Sequence, residues 1–542
     1  MSDRRPGAGR RLQASLVAFL CAVAFAQAWS SLRHKSMTFD EATYIPSGYS
    51  YVVTGDYRLN PEHPPLMKLL SGIGLLRVRP ALDTTHPTWD SADQWGFSRH
   101  FFDDADIEIE RVVSAARLPT VLVLMLLVIG AYALARELYG PTAGVLAAWL
   151  CAFSPNLLAH GRLATNDLGH AAFALLTVYT TLRFLRRPSP GGLALAGITL
   201  GLALLTKYTA VLLLGLVPIW AVALAWSRPA TPLPASRWLD RAPDGPPRRL
   251  LFAAASVTAT FAIAALVVSL GYRTPGRVDS YLAGLGVLYT NVNLGIPAYF
   301  NGRFHPDGLP YYFIAAFLLK TPSAFLVLLA VRMADQAARR DIDRDTVLFL
   351  AAPALLWLVV ISATALPFGV RYILPIYPLA FVYGAGIVAS PSFRRRGMGL
   401  AVAALGLAFA IGSLRAHPHY LPYFNVFAGG PERGIEWLDD SNVDWGQDLP
   451  LLAEYLNERG IEDAVVAPMA WYDPALYGVR GRVVGPAEIL TLLTDPDAPP
   501  GVYAVSAHLL TRGRYDPSAA IDPLRDLRPV AILGHSIYVY ER

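Results

Sequence analysis

Charge and cysteine are both scarce in this sequence. Only 16% of its 542 residues are Asp, Glu, Lys or Arg, against 54% hydrophobic residues, and that balance excludes an ordinary soluble globular protein. The two cysteines, Cys21 and Cys151, lie inside apolar segments, so neither a disulfide framework nor a thiolate metal site is supported. Internal repeats, low-complexity tracts, a Walker loop, a GxSxG elbow and zinc-finger spacing are also missing. A net charge of +5 would suit a nucleic acid, but the arginines stand in short clusters between apolar runs, where they act as orientation signals. No nucleic-acid partner is expected.

What the sequence has is long apolar runs. The first, 12–32, follows Arg4, Arg5, Arg10 and Arg11 and has the basic start of a signal peptide. At about 20 residues it is long enough to cross a bilayer, and it lacks a convincing small-residue cleavage site, so it reads as a retained first helix with the N-terminus cytoplasmic. Further spans are expected at 115–135, 141–158, 168–182, 191–206, 208–226, 250–271, 310–331, 346–366, 371–389 and 397–414. That makes about eleven, several short enough to be tilted or irregular.

Arginines test this topology. Arg183, Arg186 and Arg187, then Arg237, Arg241, Arg248 and Arg249, then Arg332, Arg339, Arg340 and Arg344, then Arg394 to Arg396 fall in alternate loops, which are therefore cytoplasmic. The outer face receives 33–114, 159–167, the turn at Lys207, 272–309, the turn at 366–371 and everything after about 415. The expected architecture is a polytopic α-helical membrane domain, 1–414, in the cell (inner) membrane, with a small extracytoplasmic α/β or α+β domain, 415–542. In the latter, Leu449 to Asn457 has helical periodicity, while Ala464 to Met469, Val502 to Ser506 and Ile537 to Tyr540 are strand-like.

Within the first outer loop, 66–78 reads as an amphipathic helix on the membrane, and the acids Asp103, Asp104, Asp106, Glu108 and Glu110 as a solvated face. The fourth outer loop carries Tyr289 to Gly295 and Phe300 to Pro310, rich in aromatics, Asn and Gly. Such loops suit sugars, because aromatic rings cover apolar sugar faces and amides bond hydroxyls.

Chemistry concentrates at the outer ends of the spans. Asp40-Glu41 follows the first span, and Asn60-Pro-Glu62-His63-Pro64-Pro65 lies farther along the same loop. Adjacent carboxylates beside apolar surface raise one another's pKa and are suited to proton transfer or metal binding. An N-cap with an acidic first turn explains Asp40 equally well. In the second outer loop, Arg162 and Asp167 form a charge pair at the start of a span, a functional candidate by position, or simply an ion pair or cap. Lys207 and Arg371, the latter in Arg371-Tyr372-Ile-Leu-Pro375, stand at the same level. There they either grip a phosphate, Arg by a bidentate fork and Lys as a point charge, or snorkel as anchors. Acids and cations at one water–lipid boundary fit a substrate with a lipid tail and a phosphate head.

With these motifs the sequence resembles the GT-C type membrane glycosyltransferases, specifically the protein O-mannosyltransferase and aminoarabinose transferase superfamily (glycosyltransferase family 39-like). Asp40-Glu41, Asn60 to Pro65, Arg162 with Asp167, and Arg371-Tyr372 match that family's loop motifs in order. His417 to Asn425 and Asp440 to Leu449 are similar to bacterial phospholipid-carrier-dependent glycosyltransferases. The resemblance implies inverting transfer of a sugar from a polyprenyl-phosphate donor to a protein, lipid or glycan acceptor on the extracytoplasmic face. It implies Asp40 as general base supported by Glu41, Arg371 and Lys207 on the donor phosphate, Tyr372 beside them, and Asp167 orienting a substrate. His63 stands where the aminoarabinose enzymes have a lysine, which weakens a phosphate contact at neutral pH. A divalent metal on Glu62, His305 and His419 would parallel those enzymes' zinc site. The rival reading is a transporter or scaffold, which predicts acids buried mid-span and related halves of the sequence.

Overall fold

The computed structural model describes residues 8–103, 107–227, 246–274, 276–292, 296–363, 367–512 and 527–542. Asp104 and Asp106 of the acidic run, Arg237 and Arg241, and 293–295 of the fourth outer loop lie outside the described residues.

Among the described residues, six helices are long and apolar enough to cross a bilayer: Gly9–Leu32, Ile109–Tyr139, Asp167–Arg186, Pro247–Gly271, Arg344–Ala363 and Arg396–Ala416. Two more runs are bent helix pairs, Pro141–Ala152 with Pro155–Gly161 at 61° and Tyr312–Lys320 with Ser323–Arg339 at 110°. Counting each pair as a span gives eight, where the sequence suggested about eleven. The remaining apolar runs are the shorter helices Pro190–Leu204, Tyr208–Leu224 and Ile376–Ala389. The 15 residues of Pro190–Leu204 rise about 22 Å, less than a hydrocarbon core of about 30 Å.

Proline sets the bends. Pro155 and Pro322 each lack an N–H and push the preceding residue out of the helical region. At the first break the Ser154 hydroxyl accepts from the Leu157 N–H and starts the next helix. At the second, the 310–331 run folds back on itself, which brings the buried Lys320 to the carbonyls of Leu421 (2.7 Å) and Asn442 (2.5 Å). A lysine inside an apolar run is thereby satisfied by the C-terminal region.

Ile109–Tyr139 is the axis of the bundle, packing against the first helix, Pro141–Ala152, Asp167–Arg186 and Leu66–Leu75. Leu66–Leu75 is the helix expected on the membrane surface. It is instead held between Ile109–Tyr139 and the outer-loop helix Glu41–Thr54, with Met67, Lys68, Ser71, Gly72 and Leu75 buried. Gly48 and Gly72 make this contact: a Cβ on either would lie 2.1 Å from a carbonyl oxygen of the facing helix.

Beyond Ala416 the chain forms a five-stranded sheet in the order Arg482–Val483, Val465–Ala467, Val502–Ser506, Ile537–Glu541, Ala531–Leu533. The first two pairings are parallel and the last two antiparallel, a mixed sheet of the α+β kind. The predicted strands appear within a residue or two, and the helix is Leu449–Glu458. Arg482–Val483 and Ala531–Leu533 are too short to leave a period-2 signal.

One joint ties this region to the start of the chain. The Ser36 and Phe39 N–H groups donate to the Gln447 and Trp445 carbonyls, each at 2.9 Å. The Tyr472 hydroxyl donates to the Met37 carbonyl at 2.5 Å. The strand of loop that leads into Asp40 is therefore fixed by residues some four hundred positions away.

Candidate active site

Asp40 and Glu41 are neighbours with opposite surroundings. Glu41 is 0% exposed, and both its oxygens are occupied. Arg117 reaches them with Nε at 2.8 Å and Nη2 at 2.7 Å, Thr38 donates from N (2.9 Å) and Oγ1 (3.0 Å), and the Ala164 N–H donates at 2.7 Å. Arg117 spends its other donors on the carbonyls of Leu32, Lys35 and Ser36. Burial alone would raise the Glu41 carboxyl, but Arg117 and these N–H groups hold it below the usual range.

Asp40 keeps 21% of its side-chain surface. Its Oδ2 accepts from Arg371 Nη1 at 2.6 Å. Burial raises its carboxyl above the ordinary range by more than Arg371 lowers it, and the nearby charges of Asp167 and Asp440 push the same way. Raised above the ordinary carboxylate range, it is suited to a general base.

Arg371 is presented by the short 3-10 turn Val370–Ile373, entered through Gly369 at φ +99°. That left-handed conformation suits glycine, and a Cβ there would meet Ser441 Oγ at 2.6 Å. The guanidinium lies over the Trp445 ring, 4.3 Å from its centroid, and beside Tyr372 at 5.4 Å. Its Nη2 makes no hydrogen bond among the described residues.

A second ion pair stands near the first. Lys207 Nζ donates to Asp167 Oδ1 at 2.7 Å and lies 4.2 Å from the centre of the Tyr372 ring. Asp167 Oδ2 is buried without a hydrogen bond among the described residues. Tyr372 thus has both cations near its ring, and Asp40, Asp167, Lys207, Arg371 and Tyr372, drawn from four connecting segments, meet in one place. His63 lies close enough to Lys207 that burial and this cation depress its imidazole well below the usual value; it is neutral and packs edge-on against Tyr44 at 5.6 Å.

Arg162 is placed differently from its expected role. It does not pair with Asp167; it is buried, with Nη1 donating to Ser31 Oγ (2.6 Å) and to the Ser31 and Pro418 carbonyls. It fastens the second outer loop to the first helix and the C-terminal region. Glu62 is likewise a turn residue, accepting from Gln94 (2.9 Å) and Asn60 (3.2 Å). Lys68 holds that turn through the Asn60 and His63 carbonyls.

The three proposed metal ligands do not converge. Among the described residues no three His, Cys, Asp or Glu side chains are grouped to hold a metal. His419 instead faces the Lys35 ammonium at 2.6 Å, a neighbour that repels a divalent cation, and His305 sits on the separate hairpin Ala298–Phe300/Arg303–His305.

Arg117, Trp445 and Asp440 carry the surroundings of the site, and sequence reasoning gave none of them a role. Arg117 had a readable signal, an arginine inside an apolar run. Trp445 and Asp440 had none beyond their motif.

One comparison over nearly the whole chain agrees with this architecture. The family model for Dolichyl-phosphate-mannose-protein mannosyltransferase matches residues 109–237, the stretch holding Arg117, Arg162, Asp167 and Lys207. The crystal structure of ArnT from Cupriavidus metallidurans in the apo state is similar over 97% of this chain and 98% of that one, with a TM-score of 0.50 and 14% identity. The oligosaccharyltransferase AglB from Archaeoglobus fulgidus, in complex with an inhibitory peptide and a dolichol-phosphate, matches at a TM-score of 0.44 and 13% identity over 92% of this chain and 70% of that one. No curated protein sequence matches. The chain is an integral membrane protein with the GT-C fold of the membrane glycosyltransferases.

Proposed function

We propose that the chain is an inverting glycosyltransferase that moves a sugar from a polyprenyl-phosphate donor to an acceptor hydroxyl on the extracytoplasmic face. One observation carries this reading: two cations, Arg371 and Lys207, lie near the Tyr372 ring beside an accessible carboxylate, Asp40, where helices packed for a membrane end. The donor's phosphate takes Arg371 and Lys207, and its isoprenoid tail remains in lipid.

Asp40 holds Arg371 at a donor that a phosphate oxygen would take. Phosphate binding draws Arg371 from Asp40 and leaves that carboxylate free to accept the acceptor's proton. The acceptor oxygen then bonds to the anomeric carbon as the bond from that carbon to the phosphate oxygen breaks on the opposite face. Polyprenyl phosphate leaves with its charge held by Arg371 and Lys207. Asp167 keeps Lys207 in place. Glu41, fully bonded, orients Asp40 through the backbone and exchanges no proton.

The test is to incubate the purified protein in lipid with a panel of polyprenyl-phosphate sugars and measure polyprenyl phosphate released. Release from one donor, stimulated by an acceptor, is expected; no release from any donor contradicts the reading.

A further inference from the structure

The C-terminal region brings a third carboxylate to the candidate site. Asp440 is 91% buried, its side chain keeping 9% of its surface. Its segment is locked onto the turn that presents Arg371: Ser441 Oγ donates to the Phe368 carbonyl at 2.5 Å, and the Val370 N–H donates to Asn442 Oδ1 at 3.0 Å. Lys320 holds the Asn442 carbonyl from below, and Arg512 pairs with Asp439 from behind.

Asp440 itself stands at φ +54°, a left-handed conformation that Asp and Asn tolerate better than most residues. Oδ1 accepts from the Ser441 N–H at 2.6 Å. Oδ2 makes no hydrogen bond among the described residues, His508 Nδ1 standing 3.8 Å away. His508 Nδ1 is buried and makes no hydrogen bond among the described residues. At 3.8 Å from it, Oδ2 keeps its capacity to accept a hydrogen bond from a bound ligand. Because Ser441 and Asn442 are bonded to the turn that presents Arg371, Asp440 lies beside the reacting groups.

Resting on the glycosyltransferase reading, we infer that Asp440 is an acceptor-binding residue: its free oxygen accepts a hydrogen bond from a second hydroxyl of a polyhydroxylated acceptor whose neighbouring hydroxyl reacts at Asp40. Arg371 and Lys207 already mark the phosphate side. A third carboxylate would repel that phosphate, which places its ligand on the acceptor side. The C-terminal region then sets acceptor preference while the membrane helices hold the donor.

The test uses the full chain in lipid nanodiscs, the polyprenyl-phosphate sugar it turns over, and methyl hexosides with their monodeoxy analogues as acceptor probes. The wild type is expected to prefer a vicinal diol over the analogue lacking the non-reacting hydroxyl by about ten- to hundredfold in kcat/KM, the size of one hydrogen bond to a charged group. Asp440→Asn, which suits the same backbone conformation, is expected to lose most of that preference through KM while binding polyprenyl phosphate within about twofold of wild type. A preference that survives in Asp440→Asn, weakened polyprenyl phosphate binding, or transfer to a single-hydroxyl peptide but no hexoside overturns the inference and leaves the glycosyltransferase reading standing. Absence of polyprenyl phosphate release by the wild type overturns both. If Asp440→Asn fails to fold, the wild-type ratio of diol to deoxy acceptor decides: a ratio near one contradicts the inference.

Discussion

Asp40 and Glu41 are joined by one peptide bond, and each faces an arginine from a distant helix or turn, yet the two ion pairs are built for different ends. Glu41 with Arg117 is a closed unit: side chains 0% and 1% exposed, every oxygen bonded. Asp40 with Arg371 has one charge-assisted contact, an accessible carboxylate and an arginine with donors to spare. A buried pair with all its bonds made fixes geometry, because removing either partner strands a charge. A pair with unused capacity can exchange one partner for a ligand. Burial of a charge alone does not mark the reactive residue; unspent hydrogen-bonding capacity does.

Breaking the closed pair has the largest expected effect. Arg117→Met leaves Glu41 buried without its cation and is expected to destabilise the protein by about 3–5 kcal/mol, read as an earlier melting transition in detergent. Since Glu41 has a depressed carboxyl, its contribution to stability is present above the usual carboxylate range and is lost as pH falls. The wild type should therefore approach the variant's stability in acid.

Next comes the second cation of the open site. Lys207→Met removes a charge opposite the leaving phosphate and is expected to lower kcat by about 10²-fold, the scale of losing one preorganised donor. Single-turnover transfer checks this, and an unchanged rate would remove Lys207 from the phosphate site.

Trp445 sharpens the comparison more finely, since Arg371 lies over its ring while Arg117 is held by a carboxylate and backbone carbonyls. Trp445→Ala is expected to cost about 1–2 kcal/mol in donor binding, and Trp445→Phe less, both measured by titration with polyprenyl phosphate. Smallest in size but most direct in sign is the pH profile. Asp40 has a raised carboxyl and must be ionised to act as base, so kcat should fall with acidity at a midpoint above the ordinary carboxylate value of about 4. Arg371→Met should move that midpoint upward.

Much of this was legible in the sequence. Apolar runs and alternating arginines gave the membrane class and nearly every helical segment, because both signals are local. The spacing of Asp40, Asp167, Lys207 and Arg371 from the ends of apolar runs put them at one depth, and the structure brings them together. Bends were not legible: Pro322 turns one apolar run by 110°, and hydropathy does not distinguish a folded hairpin from a span. Arg162 and Asp167, five residues apart, looked like partners, but Asp167 pairs with Lys207 across two helices while Arg162 turns to Ser31 and Pro418. The metal triad failed for the same reason, since its members are set by tertiary neighbours such as Lys35.

Adjacent substitutions test the central distinction. Asp40→Asn and Glu41→Gln are compared for polyprenyl phosphate release under saturating donor, together with melting temperature. Asp40→Asn should lose about 10²- to 10⁴-fold in turnover, the range of general-base catalysis, with a smaller loss of stability than Glu41→Gln. Turnover unchanged in Asp40→Asn would contradict the account.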